Sequence, residues 1–367
     1  MGLLLGAMLW WPLSGYAVEI SDRLTLNGFY NLDASLSQGS DTVLPTMAVD
    51  PITLKDGEVA LNYSLIGLQA DFSLTDTLRF AAQAVSSRQT DADYAPTLEW
   101  AYANWDLGDD LFLRGGLLKT PLMQGIELRY VGFSRLWVRP LVPASGAAGF
   151  DDYLGAELVK QGRVGDYNIG FQGAYGVPDH HQDFVDGHDL KLISTRIERD
   201  ESWLNLALMQ ASYDVYSKDL TRVIQKDSEM VMASIEAEVL FDKAVINFGY
   251  AQSEAEFNPD ERMAYLSLGY RLGGLTPYLL YQYRDMAFTA PNPPPGPPPP
   301  PPPPGASPKD GELSTRSIAL GLRYDLDDRH AIKAQIERQS VHDASFRSLP
   351  AADTNATVFT LSFEGVF

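Results

Sequence analysis

A short segment rich in histidine and aspartate has the residue types most typical of metal binding. Between Asp179 and Asp189 it holds three of the five histidines in the chain, together with four aspartates. Imidazole and carboxylate groups at short spacing bind zinc, nickel or calcium. The spacing matches no established metal motif, so we expect a solvated acidic loop that binds divalent ions loosely. The candidate ligands are His180, His181, Asp183, Asp186 and His188.

Catalytic chemistry has little support elsewhere in the chain. The absence of cysteine excludes thiol catalysis, disulfides and cysteine-ligated metals. His342, Asp343 and Ser345 form one loose grouping of the kind hydrolases use, but the grouping matches no motif. No glycine-rich phosphate loop is present, and the net charge of −20 disfavours nucleic acid. We therefore predict no enzyme activity, no catalytic residues and no cofactor.

Basic residues are concentrated in one otherwise apolar segment. From Leu111 to Phe150 the local charge is +4, within a chain of −20. Arginines at the constriction of a pore favour anions over cations. We therefore predict a constriction whose basic half-ring faces an acidic patch. The constriction candidates are Arg114, Lys119, Glu127, Arg129, Arg135 and Arg139, and those on the opposing wall are Glu236, Glu238, Arg323 and Lys333.

Two other interpretations of this segment remain open. Some of the arginines would instead pair with Asp151 or Asp152, or anchor the segment to its surroundings. The aromatic side chains of Tyr130, Phe133 and Trp137 would either stack on a sugar ring or anchor the segment, and we expect anchoring.

The C-terminal residues 357–367 indicate the kind of structure that surrounds this basic segment. Phe359, Leu361, Phe363 and Phe367 fall on one parity, and polar residues fall on the other. This period of two predicts a β-strand with one apolar and one polar face. Such a strand suits a barrel wall with lipid outside and water inside.

The same alternation between turn signals predicts sixteen strands. Polar or glycine-rich pairs of residues typical of hairpins join every second pair of strands, and the other connections are longer. The predicted strands begin near Leu24, Glu58, Leu78, Thr97, Leu111, Asp152, Tyr167, Asp189, Trp203, Glu229, Ala244, Arg262, Thr276, Thr315, His330 and Ala356. We therefore predict an all-β, transmembrane antiparallel barrel with short periplasmic turns and long extracellular loops. A soluble β-sandwich is the alternative.

The first residues of the chain indicate one boundary, after residue 17. The apolar run from Leu3 to Trp11, followed by small residues at Gly15 and Ala17, predicts a secretory signal peptide over residues 1–17. A buried N-terminal helix is the alternative. Residues 18–367 then form a single barrel domain. No later apolar run approaches the about 20 residues that a membrane-spanning helix needs.

Two local features and the architecture resemble known outer-membrane proteins. The aromatic C-terminus resembles that of Gram-negative outer-membrane barrels, whose final residue, here Phe367, is read by the barrel-assembly machinery. Sixteen strands with a long third loop, together with RGGLLKTPL and RYVGFSRLWVRP, resemble the trimeric Gram-negative porins. The resemblance implies a homotrimer in the outer membrane, in contact with lipid and lipopolysaccharide. It also implies that residues 119–149 fold into the lumen as a constriction loop.

These observations predict a water-filled channel for passive diffusion of small hydrophilic solutes, with a preference for anions. One alternative is a channel specific for an anionic nutrient such as phosphate, or for a sugar. Another is a non-conducting surface adhesin or structural barrel. Its working part would be the proline-rich loop at residues 289–313, whose proline run favours a stiff polyproline helix. A repeat insertion without function is the simpler interpretation of that loop.

Overall fold

The computed structural model describes most of the chain. Several expectations fall outside the described residues: the signal peptide, His180, His181, Asp183, Ser345, most of the proline-rich loop and the end of the constriction loop. The described residues are 18–44, 52–61, 63–88, 94–139, 150–179, 185–216, 222–256, 260–288, 311–343 and 352–367.

The described chain forms a closed antiparallel barrel of 16 strands, which confirms the predicted fold class. Every strand pairs with its neighbours in sequence, and the last strand pairs with the first. The strands are β1 (Leu24–Gln38), β2 (Leu65–Ser73), β3 (Leu78–Ser87), β4 (Pro96–Gly108), β5 (Leu111–Lys119), β6 (Asp152–Val164), β7 (Tyr167–Asp179), β8 (Val185–Arg199), β9 (Ser202–Tyr216), β10 (Val223–Phe241), β11 (Ala244–Ala255), β12 (Asp260–Tyr270), β13 (Leu275–Phe288), β14 (Gly311–Asp325), β15 (His330–Asp343) and β16 (Ala352–Val366).

Shorter strands complete the two ends of the barrel. Val18–Ser21 pairs with the start of β1, Thr42–Leu44 pairs with Ile52–Leu54, and Val59–Ala60 pairs with the end of β1. In the described part of the chain, the helices are all too short or too polar to cross a membrane.

Phe367 closes the barrel against β1. Its amide and carbonyl exchange hydrogen bonds with Gly28 at 2.8 and 2.7 Å. A Cβ on Gly28 would stand 2.2 Å from the Phe367 ring. Glycine is therefore required at this position, because any side chain would displace the terminal ring from the seam.

The two faces of the wall differ as the alternation predicts. On β14, the side chains of Ile318, Leu320 and Leu322 are exposed on the outer face, whereas Ala319 points inward and is buried. On β15 the inward positions are polar, and Lys333 is fully buried there. An apolar outside and a polar inside suit a wall between lipid and an aqueous lumen.

Two predicted strand starts lie six or seven residues from the observed ones, and those near Asp189, Thr315 and Ala356 each lie four residues after the observed start. The second strand begins at Leu65 rather than near Glu58, because Tyr63 turns inward where its amide donates to Asp33 Oδ1 at 2.7 Å. The tenth begins at Val223 rather than near Glu229, because an irregular pairing with β9 interrupts its alternation.

The hairpin turns lie at one end of the barrel and the long connections at the other. Asp109, Asp110, Asp200 and Asp242 adopt left-handed backbone in the turns, with φ between 53° and 55°. Aspartate tolerates this conformation better than most residues. We call the two ends the short-turn end and the long-loop end.

Candidate functional site: the constriction loop

The loop after β5 turns inward and packs inside the barrel. Its described part, residues 120–139, contains a one-turn helix at Gln124–Glu127 and a 3-10 turn at Gly132–Ser134. The side chains of Leu122, Met123 and Ile126 are completely or almost completely buried. These apolar residues pack against inward-facing residues of the wall in one cluster. Burial of this apolar surface is what favours the inward position of the loop.

Ion pairs hold the start of the loop to the wall. Lys119 Nζ donates to Glu99 on β4 at 2.8 Å and contacts Asp152 on β6 at 2.5 Å. Arg129 donates to Asp151 at 2.9 Å and to the same Glu99 at 3.2 Å. Both basic side chains are nearly inaccessible to solvent. Burial would by itself lower the pKa of Arg129, but Tyr130, Asp151 and Glu99 together raise it, so this guanidinium stays charged.

The end of the described loop is held in the same way. Arg139 forms an ion pair with Glu337 on β15 and donates to Thr360 Oγ1 on β16 at 2.6 Å. Burial opposes its charge, but the Glu337 carboxylate raises the pKa of Arg139 above its ordinary value. Arg139 therefore acts as an anchor on the wall.

Two basic residues of the wall bind the backbone of the loop. Lys333 Nζ donates to the carbonyl oxygens of Gly132 at 2.8 Å and Trp137 at 3.3 Å, and it forms an ion pair with Glu364 at 2.5 Å. Arg323 donates to the carbonyls of Phe133 and Arg135 at 2.7 and 2.8 Å. We predicted that Arg323 and Lys333 lie on the wall opposite the loop, and this prediction is wrong. Both side chains contact the loop because it packs directly against β14 and β15.

Glu236 also binds the loop. Its carboxylate accepts from the backbone amide of Gln124 at 2.5 Å and from Tyr265 Oη at 2.7 Å. The prediction that Glu236 belongs to an acidic patch facing the arginines is therefore wrong. Glu238 is half-buried and lines the cavity described below. Arg114 lies on β5 and pairs with Glu157 on β6, so it belongs to the wall.

Arg135 and Glu127 differ from the other charged candidates. Arg135 donates to the carbonyl of Arg129 at 2.9 Å, and no described carboxylate lies within ion-pairing distance of it. Burial lowers the pKa of Arg135, opposed by the Glu364 carboxylate. Glu127 accepts no hydrogen bond from a described residue. Its burial raises its pKa to about 7, although Arg114 acts in the opposite direction.

A small polar cavity lies beside Arg135. Its volume is about 50 Å³, enough for roughly three or four water molecules. Charged groups of both signs and aromatic rings meet there. The lining includes Gln124, Gly125, Leu128, Ser134, Arg135, Trp137, Trp203, Glu236, Glu238, Asn247 and Tyr265.

Sequence reasoning missed several contributors to this region. Glu99, Glu337 and Glu364 are inward carboxylates that anchor the loop, and Trp203 and Tyr265 line the cavity. Period-two alternation indicates that such residues point inward, but it does not indicate which one meets the loop. The geometry differs from the predicted half-ring because Arg129 and Arg139 are paired. This matches the alternative in which arginines pair with Asp151 and anchor the loop.

Comparison with known proteins rests on structure. No protein-family model matches the chain. No curated protein matches it in sequence. OmpT of Vibrio cholerae in its trimer form superposes with a TM-score of 0.56 at 12% identity, covering 94% of this chain and 100% of that one. An anion-selective porin from Comamonas acidovorans gives 0.55 at 14% identity, covering 94% and 99%. Salmonella typhi OmpF in complex with daunomycin gives 0.57 at 10% identity, covering 94% and 97%.

Identities this low show similarity of fold alone. What is shared is the barrel architecture. In this chain the barrel is closed, has 16 strands, and has an apolar outer face around a polar interior. The fold of this chain is therefore that of the outer-membrane porins.

Proposed function

We propose that the protein is a porin that lets small hydrophilic solutes diffuse passively through a lumen narrowed by residues 119–149. The observation that carries the proposal is the inward loop, which contacts charged wall residues on β4, β6, β10, β14 and β15. A loop fixed inside a polar barrel sets the width and the charge of an aqueous path. Its many anchors keep that width constant.

The proposed preference for anions now depends mainly on Arg135. The carboxylates of Glu99, Asp151 and Glu337 offset the charges of Arg129 and Arg139. A neutralised pair has little effect on a passing ion beyond a few ångströms. The preference is therefore modest, and it supports general diffusion rather than a dedicated phosphate channel.

The test is single-channel recording from detergent-purified protein in a planar bilayer under a KCl gradient. Ohmic steps with a reversal potential on the anion side are expected. Folded protein that gives no steps would contradict the channel and favour the surface adhesin. Steps that reverse on the cation side would keep the channel and refute the anion preference.

Because the chain contains no cysteine, a thiol probe can locate the current path. Ser134→Cys places a thiol on the cavity lining. A charged methanethiosulfonate reagent should reduce the current of this variant. The control is Thr75→Cys in an exposed turn, whose modification should leave the current unchanged. Equal effects on both variants would argue against a path past the loop.

Two further properties belong to the same proposal, and two other expectations are still untested. We infer a homotrimer, supported by the trimer form among the structural neighbours, and mass measurement in detergent tests it. We also infer removal of residues 1–17, which N-terminal sequencing of protein from the outer membrane tests. The absence of enzyme activity and the interpretation of the proline-rich loop as a functionless insertion remain predictions.

A further inference from the structure

Three metal-binding side chains converge at the long-loop end of the barrel, away from the constriction loop. They are His188 near the start of β8, Asp214 near the end of β9 and Asp227 near the start of β10. One ligand atom from each lies within 4.8 Å of the other two. His188 Nε2 is 3.0 Å from Asp214 Oδ1. We propose that these three residues form a binding site for one divalent transition-metal ion such as Zn²⁺.

The spacing suits a metal ion. Zinc binds imidazole nitrogen and carboxylate oxygen at about 2.0–2.2 Å, so two ligand atoms on a tetrahedral ion stand roughly 3.3 Å apart. The observed distance between the His188 and Asp214 atoms is close to this value. Three protein ligands leave at least one coordination position for water. Mixed nitrogen and oxygen ligands favour Zn²⁺, Ni²⁺ or Co²⁺ over Ca²⁺, which prefers oxygen ligands.

Two irregularities in strand pairing create the convergence. His188 is the extra residue where the register between β8 and β9 shifts, between Gly187 and Asp189. A second shift lies between β9 and β10 around Asp214. Bulges redirect side chains and are frequent beside functional sites.

Asp214 is the fixed member of the group. Its side chain is only 6% exposed, whereas that of His188 is 36% exposed and Asp227 is exposed to solvent. The amide of Asp227 donates to Asp214 Oδ1 at 2.7 Å. The second oxygen of Asp214 accepts no hydrogen bond from a described residue. One buried carboxylate with two accessible partners allows an ion to enter from solvent.

The ligand set differs from the cluster that the sequence indicated. Of that cluster, His188 belongs to the site. Asp186 is exposed and is paired with Asp214 across β8 and β9, but it is not a member of the group. The aspartates at 214 and 227 are 26 and 39 residues away along the chain from His188, and only the barrel brings them near. His180, His181 and Asp183 lie outside the described residues and are not part of the proposed site.

Titration of the folded barrel with Zn²⁺, using calorimetry and protein without a polyhistidine tag, tests the proposal. One ion per chain should bind, with a dissociation constant in the micromolar range. His188→Ala, Asp214→Asn and Asp227→Asn should each weaken binding roughly tenfold or more. Absence of saturable binding, or unchanged affinity in the His188 and Asp214 variants, would overturn the proposal.

The chain offers close controls. His330 contacts Asp327 at 2.8 Å without a third ligand among the described residues, so His330→Ala should bind Zn²⁺ as wild type does. The double variant His180→Ala/His181→Ala should also be unchanged. Loss of binding in that double variant, with His188→Ala unaffected, would refute the site and favour the loop cluster.

Co²⁺ reports on the ligands directly. Its visible absorption bands gain intensity when nitrogen and oxygen ligands hold it in four or five coordination. Wild type should show these bands, and His188→Ala should lose them while remaining folded, as judged by heat-modifiable mobility on gels. Bands that persist without His188 would show that the imidazole is not a ligand.

Discussion

Two parts of the constriction loop carry arginines in opposite circumstances. Arg129 and Arg139 lie against the wall and pair with carboxylates, whereas Arg135 lies beside the cavity without a described carboxylate partner. The residue type is the same, but the first two hold the loop and the third can act on a passing ion. The comparison shows that a local excess of positive charge in a sequence does not measure the charge that a pore presents.

The largest expected effect comes from breaking the anchors. Lys333→Met removes a fully buried ammonium and leaves the buried Glu364 carboxylate without its ion pair. Loss of one partner of a buried pair typically costs about 3–5 kcal/mol. We expect the free energy of unfolding, measured by urea titration in lipid vesicles, to fall by about that amount.

Two variants control this measurement. The double variant Lys333→Met/Glu364→Gln should recover part of the loss, because it leaves no unpaired charge. Lys243→Met, in an exposed turn, should change the stability little. A Lys333→Met protein as stable as wild type would show that this pair does not anchor the loop.

The next effect separates the two kinds of arginine. Arg135→Met should shift the chloride-to-potassium permeability ratio toward potassium by roughly tenfold, because one charge about 5 Å from an ion in water contributes about 0.8 kcal/mol, with opposite sign for the two ions. The double variant Arg139→Met/Glu337→Gln removes one positive and one negative charge, so it should leave the ratio nearly unchanged. Reversal potentials under a KCl gradient measure both.

A second variant with the same change in net charge tests whether the position of Arg135 matters. Arg163→Gln removes one positive charge from the exposed end of β6, beside a hairpin turn. It should not change the permeability ratio, because the turn lies far from the loop. An equal shift in the Arg135 and Arg163 variants would mean that net charge, and not the constriction, sets selectivity.

A smaller effect depends on pH. Burial raises the pKa of Glu127 from 4.5 to about 7, so this carboxyl is neutral in the folded protein at pH 5 and charged at pH 8. The anion preference should therefore fall by roughly twofold between these values as a negative charge appears on the constriction loop. Glu127→Gln should remove this pH dependence, and Asp76→Asn in an exposed turn should not.

The same group affects stability with a defined sign. Between pH 4.5 and about 7 the folded protein holds a proton that the unfolded chain has released. Its contribution to stability is thus present at low pH and is lost as the pH rises through 7. Glu127→Gln should be more stable than wild type at pH 8 and similar to it at pH 4. Equal stability at pH 8 would contradict a buried carboxyl.

The smallest effect is expected where an ion pair is exposed. Arg271 and Glu201 form a pair at 3.1 Å at the short-turn end, and about half of each side chain is exposed. Such pairs contribute about 0–1 kcal/mol. Arg271→Ala should therefore change the free energy of unfolding far less than Lys333→Met, and a loss of similar size would refute the contrast between buried and exposed pairs.

The amino-acid sequence by itself determined the strands and their faces. Alternation such as that of Phe359, Leu361 and Phe363 has a period of two, and this period depends on backbone geometry within one strand. The inward position of the loop also followed from local content, because residues such as Leu122 and Ile126 require burial. Boundaries were less certain where alternation was interrupted, as before Leu65 and Val223.

The tertiary structure alone decided which charges meet. Arg139 and Glu337 are 198 residues apart, and His188 meets Asp214 at a shift in register between β8 and β9. Alternation predicts that a side chain points inward, but closure of the barrel and the path of the loop set its neighbours. The partner of each charge determines whether that charge anchors the loop, faces the solute path or can bind a metal ion.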